Sequence, residues 1–265
     1  MCVTICGRFR PDEGAVAGYG NRIRVKSPAK WGVQIAGMIF QTRSKKGMNI
    51  KMKYEGIIFD LDGVICHTDE YHYQAWKTLA DKLGIYFDRE INNRLRGVSR
   101  MASLEIILEC YEGAPLTDEQ KEQYATEKND IYKKLLGNMS EKDLSKEVAD
   151  TLNALRAKGL KLAIGSSSKN TPYILERIGL GNFFDAVSDG NNITHSKPDP
   201  EVFVKAAEFL GLPAEKCMVV EDAEAGIDAA IAGHMDSAAI GDAVGCGKAT
   251  CNLTTFADLL KEVEE

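Results

Sequence analysis

The pattern of apolar and polar residues changes abruptly near residue 54. Residues 1–50 show no sustained helical or strand periodicity and carry basic clusters such as NRIRVKSPAK. We expect residues 1–51 to form a basic, disordered extension. One interpretation of its charge is an arm for nucleic acid or a membrane surface. The one we favour is an appendage, or a translation start assigned too far upstream of Met48 or Met52.

A buried strand and a block of helices follow. GIIF at 56–59 is a continuous apolar run, which is typical of a strand inside a parallel sheet. Apolar residues then recur every four positions from residue 71 to residue 83, and Thr68 is placed to cap this helix. Further helices are predicted over 101–111 and from Thr117, whose TDEQ motif matches a capping box.

Strands and helices alternate after residue 140. The successive segments are a helix ending at Gly159, the strand LKLAIG, the helix TPYILERIGL, the strand FDAVS, the helix DPEVFVKAAEFLG, the strand CMVVED, a helix from Ala223 and the strand DSAAIG. Such alternation predicts a parallel sheet with helices on both faces. We predict an α/β fold whose doubly wound, Rossmann-like core spans 52–67 and 141–265, with an all-helical cap domain inserted over 68–140.

Composition narrows the class of protein. The chain has 265 residues, of which 44% are hydrophobic, enough for a sizeable core. No run approaches the roughly 18 apolar residues of a membrane span, so we expect a cytoplasmic protein outside the membrane. The seven cysteines form no CxxC pair and the four histidines no HExxH motif, so carboxylates are the expected ligands of any metal.

The net charge of −6 is unevenly distributed. Residues 1–50 hold nine Lys and Arg against two Asp and Glu, whereas the remaining residues hold 24 against 37. Because the body of the chain is acidic, we expect no nucleic-acid groove there and predict a small-molecule partner. A monomer is the default expectation for the oligomeric state.

Polar clusters follow the predicted strands at their carboxyl ends. They are Asp60 and Asp62, the run Ser166-Ser167-Ser168-Lys169-Asn170, Lys197, and Glu221 with Asp222. Such ends meet at one edge of a parallel sheet, and crowded carboxylates repel one another unless a cation such as Mg²⁺ lies among them. A carboxylate nucleophile beside a metal and a lysine predicts phosphoryl transfer, with a second acid for proton transfer. Each cluster alone is weak evidence, but their order on successive strand ends favours this interpretation.

Four motifs, FDLDGV, GSSSKN, SKPDP and VVEDAEAGI, resemble the signature motifs of the haloacid dehalogenase-like superfamily, and the resemblance covers residues 54–265. It implies that Asp60 is the nucleophile that forms an aspartyl phosphate and that Asp62 is the general acid/base. It also implies that Ser166 and Lys197 hold the transferring phosphate. The implied Mg²⁺ ligands are Asp60, the carbonyl of Asp62, Glu221 and Asp222.

The helical insertion bears on the kind of reaction. Most members of the superfamily are phosphatases, so a hexose-phosphate phosphatase is the alternative to consider. The segments TDEYHYQAW, LRGVSR and SSSKN instead resemble those of hexose phosphomutases of the superfamily, which work through a sugar bisphosphate. A binding protein without catalysis is disfavoured because both aspartates of the first motif are present.

A mutase needs a second phosphate site, and Arg100 is the candidate because a guanidinium grips phosphate bidentately. Thr68 and His72 resemble residues that couple cap closure to the placement of Asp62, although spacing alone favours a packed histidine at position 72. The other residues that the resemblance places around the sugar phosphate are Trp76, Gly97, Val98, Ser99, Ser103, Lys128, Ser167, Ser168, Lys169 and Asn170.

The chain departs from the family pattern in its two predicted hinges. His67 stands where Asp is common, and Ser145-Lys146-Glu147 stands where a Pro-Gly is common. Because both lie away from the predicted metal ligands, we expect them to affect movement of the cap and not the class of reaction.

Overall fold

A six-stranded parallel sheet forms the centre of the computed structural model, which describes residues 51–265. The order of its strands is β3-β2-β1-β4-β5-β6. The strands are β1 Gly56–Phe59, β2 Lys161–Gly165, β3 Ala186–Ser188, β4 Cys217–Glu221, β5 Asp236–Ala239 and β6 Cys251–Asn252. The predicted fold class is confirmed. The prediction that residues 1–51 are disordered concerns residues that, except for Lys51, lie outside the described part of the chain.

Nine helices accompany the sheet within residues 51–265. Four lie within residues 68–140, the segment predicted to be an inserted helical cap: α1 Asp69–Lys82, α2 Arg89–Asn93, α3 Arg100–Leu108 and α4 Asp118–Leu136. The others are α5 Lys146–Ala157, α6 Thr171–Arg177, α7 Glu201–Leu210, α8 Glu224–Ala232 and α9 Leu259–Glu262. No helix in this described part is long and apolar enough to cross a bilayer.

Both faces of the sheet are buried, which explains the continuous apolar run in β1. Ile57 and Phe59 belong to a core cluster that includes residues of α5, α6 and α9. Ile58 points the other way, into a cluster with residues of α7 and α8. The register places Phe59 beside Ile164 and Val220, so the residues that follow these three strands lie side by side at one edge.

The helical insertion has its own apolar core. Trp76, Leu79, Leu104, Ile107 and Ala125 are buried there together. The predicted capping box at the start of α4 is present, with the Thr117 hydroxyl accepting from the backbone N–H of Gln120 and the Gln120 side chain accepting from that of Thr117.

One local prediction needs correction. Thr68 occupies the N-cap position of α1, but its hydroxyl makes no bond to that helix and is directed to Asp62. In the second predicted hinge, the Ser145 hydroxyl accepts from the backbone N–H of Val148 and caps α5.

Candidate active site

The carboxyl edge of the sheet brings together side chains from four strand ends. Asp60 follows β1, Ser166 follows β2, Lys197 lies in the loop after β3, and Glu221 ends β4. The Nζ atom of Lys197 lies 2.5 Å from Oδ1 of Asp60 and 2.5 Å from Oε1 of Glu221. All of these side chains are buried. The structure thus joins the first, third and fourth motifs through one buried ammonium group.

Three carboxylates crowd around this ammonium group. Single oxygens of Asp60, Glu221 and Asp222 lie within 4.8 Å of one another. The other oxygen of Glu221 accepts from the backbone N–H groups of Asp222 at 2.7 Å and Ala223 at 2.8 Å, which fixes its orientation. The three carboxylates therefore offer an oxygen-only cluster of the kind that hard cations prefer.

Burial makes two of these carboxyls, those of Asp60 and Asp222, reluctant to ionise. It raises the pKa of Asp60 to about 7, against the opposing charge of Lys197. Burial and the charge of Glu221 raise the pKa of Asp222 to about 9. For Lys197, burial alone would lower the pKa, but the facing carboxylates raise it above its usual value. More positive charge would be needed to keep every acid ionised at neutral pH.

The second aspartate of the first motif is held by the start of α1. Oδ1 of Asp62 accepts from the backbone N–H of Thr68 at 2.6 Å, and Oδ2 accepts from the Thr68 hydroxyl at 2.6 Å. The Nε2 atom of His72 lies 3.8 Å from the same Oδ2. Burial and the charge of Asp69 raise the pKa of Asp62 to about 6, although the bonds from Thr68 act in the opposite direction.

The loop after β2 is folded on its own hydroxyl groups. The Ser166 hydroxyl accepts from the backbone N–H of Ser168, and the Ser168 hydroxyl accepts from that of Asn170, both at 3.2 Å. Two side chains of the loop reach the helical insertion. The Ser167 hydroxyl donates to the carbonyl of Gly97 at 3.3 Å, and the Asn170 amide donates to Oδ1 of Asn129 at 2.9 Å.

Two cations of the helical insertion face the strand ends. Lys128 is buried, with Nζ at 2.8 Å from Nδ1 of His72 and 4.7 Å from the centre of the Trp76 ring. Burial lowers the pKa of both Lys128 and His72 well below their usual values. The guanidinium of Arg100 makes no ion pair or hydrogen bond with any residue in 51–265, so it is available to an anionic ligand.

A cavity of about 500 Å³ lies between the strand ends and the helical insertion. Every site residue predicted from the sequence lines it except Thr68, which is fully buried behind Asp62. The predicted residues in the lining are Asp60, Asp62, His72, Trp76, Gly97, Val98, Ser99, Arg100, Ser103, Lys128, Ser166, Ser167, Ser168, Lys169, Asn170, Lys197, Glu221 and Asp222.

Other residues of this lining were not predicted as site residues, and they include Arg96, Asn129 and Tyr132. One arginine nitrogen of Arg96 lies 2.5 Å from Oδ2 of Asp242, and the other pairs with Asp69. Asn129 and Tyr132 lie on α4 next to Lys128 and one turn after it, so a helical projection around that lysine would have identified them. The acidic partners of Arg96, in contrast, lie far from it in sequence, so no local pattern predicts them.

Comparisons with known proteins agree with this geometry. Residues 54–234 match the family model described as haloacid dehalogenase-like hydrolase, and residues 1–53 match a family of unknown function, DUF6783. A beta-phosphoglucomutase of Bacillus subtilis is 39% identical over 189 residues, which are 71% of this chain and 83% of the relative. A fructose-1-phosphate phosphatase of Escherichia coli is 30% identical over 185 residues, which are 70% and 95%. The solved structure of a beta-phosphoglucomutase from Clostridium difficile is similar with a TM-score of 0.74 and 34% identity, covering 79% of this chain and 96% of that one.

Proposed function

This chain belongs to the haloacid dehalogenase-like hydrolase family, and within that family we propose that it is a beta-phosphoglucomutase. The reaction interconverts beta-D-glucose 1-phosphate and glucose 6-phosphate through an aspartyl-phosphate enzyme and beta-glucose 1,6-bisphosphate. The observation that carries the proposal is one cavity with a cation at each side. Lys197 lies at the strand ends, and Arg100, whose guanidinium has no partner within residues 51–265, lies on the helical insertion. A bisphosphate needs two such sites, because its two phosphates must exchange places between turnovers.

Asp60 is the proposed nucleophile. Its carboxylate oxygen forms a bond to the phosphorus of one phosphate of the sugar bisphosphate, while the bond from that phosphorus to the sugar oxygen breaks and a sugar monophosphate is left. Lys197, at 2.5 Å from Asp60, and Ser166 are placed to hold the oxygens of the phosphoryl group in transit. In the second half-reaction the hydroxyl at the other end of a hexose monophosphate attacks the phosphorus of the phosphoaspartate, and the bond from phosphorus to Asp60 breaks and restores the carboxylate.

Asp62 is the proposed general acid/base. It gives a proton to the sugar oxygen that leaves and accepts one from the hydroxyl that attacks. Two bonds from Thr68 fix its carboxylate, and His72 lies 3.8 Å away. We infer that the position of α1 sets the orientation of Asp62, so that proton transfer depends on the placement of the helical insertion over the sugar.

The buried carboxylates fit a magnesium ion. Asp60, Glu221 and Asp222 offer three oxygens within 4.8 Å of one another. The raised pKa values of Asp60 and Asp222 indicate that the site would favour additional positive charge. We propose that these carboxylates and the carbonyl of Asp62 would hold Mg²⁺. When bound, the ion would offset negative charge on the phosphoryl group.

Arg100 is proposed to bind the phosphate that is not being transferred. Its guanidinium lines the cavity without a side-chain partner among residues 51–265 and can donate hydrogen bonds to two phosphate oxygens at once. Ser168, Lys169 and Asn170 line the same cavity and would complete this second site.

A hexose-phosphate phosphatase is the second candidate, favoured by the 30% identity to the Escherichia coli fructose-1-phosphate phosphatase. Incubation with beta-glucose 1-phosphate, Mg²⁺ and a trace of the bisphosphate separates the two functions. We expect glucose 6-phosphate to accumulate and Asp60→Asn to abolish turnover with an unchanged circular dichroism spectrum. Release of glucose and phosphate without glucose 6-phosphate would establish the phosphatase instead.

A further inference from the structure

We propose that Tyr132 is a positioning residue for Asp62, acting through the hydroxyl of Thr68. Tyr132 lies in the carboxyl-terminal part of α4 (Asp118–Leu136), far from Asp62 in the chain, and it is 1% exposed. Its phenol oxygen lies 2.8 Å from the Thr68 hydroxyl oxygen, which itself lies 2.6 Å from Oδ2 of Asp62. The proposal rests on the acid/base role proposed for Asp62.

The direction of the two hydrogen bonds follows from the number of protons available. An ionised carboxylate can only accept, so the single hydroxyl proton of Thr68 is donated to Asp62. The bond between Thr68 and Tyr132 must then use the phenol proton. Burial and the nearby charge of Asp62 raise the pKa of Tyr132 well above its usual value, so the phenol keeps that proton. The three side chains therefore form a one-way chain of donors that ends on Asp62.

This arrangement restricts the rotation of the Thr68 hydroxyl. A threonine hydroxyl at the start of a helix has competing partners, since it can also accept from N–H groups of the first turn. Because the phenol of Tyr132 donates to the Thr68 hydroxyl oxygen, the single hydroxyl proton of Thr68 stays directed at Asp62. Hydrogen bonds in such a chain also polarise and strengthen one another. Tyr132 thereby holds one of the two contacts that fix the carboxylate of Asp62.

The ring of Tyr132 connects the same chain to the sugar side of the cavity. Its centre lies 4.0 Å from that of the His72 ring and 4.6 Å from Nζ of Lys128. A sugar phosphate that displaces Lys128 or His72 would therefore press on the residue that orients Thr68. Through this contact, a sugar phosphate bound beside the helical insertion would affect the orientation of Asp62.

A double-mutant cycle with Tyr132→Phe and Thr68→Val tests the inference on the full chain. The phenylalanine keeps the ring contacts and removes only the hydroxyl, and valine preserves the shape of threonine. We expect Tyr132→Phe to lower kcat about three- to tenfold, the factor that corresponds to one ordinary hydrogen bond, with KM changed less than about twofold. In the Thr68→Val background the same change should have no further effect, whereas in Thr68→Ser the loss should reappear.

Tyr124→Phe is the matched control, because Tyr124 lies on the same helix and does not line the cavity, and its phenol makes no hydrogen bond with a residue in 51–265. Thermal melting of each variant detects any general loss of structure. An unchanged kcat in Tyr132→Phe, or an equal loss with and without the Thr68 hydroxyl, would overturn the inference. Glucose 6-phosphate and inorganic phosphate are both measured. If the parent enzyme only releases inorganic phosphate, the proposed mutase function is refuted, but the double-mutant cycle still tests the role of Tyr132.

Discussion

Replacing Lys197 by methionine removes the ammonium group that lies between two buried carboxylates. The Lys197 side chain is 1% exposed, and the partner oxygens of Asp60 and Glu221 each lie 2.5 Å from its Nζ. Methionine has a similar shape, so packing against Phe203 is largely kept and the main loss is charge. Removing one partner of a buried ion pair costs about 3–5 kcal/mol, and we expect Lys197→Met to lose that much free energy of unfolding near neutral pH in chelator.

Urea unfolding followed by circular dichroism measures this loss. Lys146→Met is the control, since Lys146 pairs with Asp150 on the surface and its side chain is 88% exposed. We expect little change for the control and a partial recovery of Lys197→Met when Mg²⁺ replaces the chelator, because the ion returns positive charge to the carboxylates. The reasoning fails if Lys197→Met in chelator is as stable as the control.

Three further predictions concern the same site. Burial and the charge of Glu221 raise the pKa of Asp222 to about 9, so its contribution to stability is present at acid pH and lost as the pH rises through that value. In chelator the free energy of unfolding should therefore fall by about 1.4 kcal/mol per pH unit between pH 7 and pH 9, above the raised pKa values of Asp60 and Asp62, measured by denaturation at several pH values, and a rise over that range would contradict this. Arg100→Ala should raise KM for beta-glucose 1-phosphate about tenfold or more through loss of a charged hydrogen bond; an unchanged KM in steady-state assays would remove Arg100 from the second phosphate site. Gly226→Ala places a Cβ 1.9 Å from Oε1 of Glu221, so activity should require more Mg²⁺ than in the control Gly245→Ala, where a Cβ meets open space; equal Mg²⁺ titrations would refute this.

The strand-end groups could be predicted from the sequence because their signals are local. A short buried strand followed by polar residues is visible in the letters themselves, and parallel strands place such ends at one edge. Asp60, Ser166, Lys197 and Glu221 all lie where this rule puts them. The residues of the helical insertion required the resemblance to the family, since spacing alone gave His72 only a packing role.

The errors and omissions have physical causes. A hydroxyl before a helix normally caps it, but the Thr68 hydroxyl meets a carboxylate, which binds a donor more strongly than a neutral acceptor does. Contacts such as Asn129 with Asn170 and Arg96 with Asp242 join segments far apart in sequence and cannot be inferred from local patterns. Helix α2 and strand β6 are too short to show periodicity. The boundaries of the cap, the cytoplasmic location and the monomeric state stay predictions.

The fate of the phosphoryl group tests the central claim most directly. The enzyme is supplied with Mg²⁺, excess unlabelled beta-glucose 1-phosphate and a trace of beta-glucose 1,6-bisphosphate carrying radioactive phosphate. A mutase returns the label to sugar phosphates, so we expect it in glucose 6-phosphate and the bisphosphate, with inorganic phosphate released far more slowly than substrate is converted. Release of the label as inorganic phosphate at the rate of substrate turnover would contradict the account.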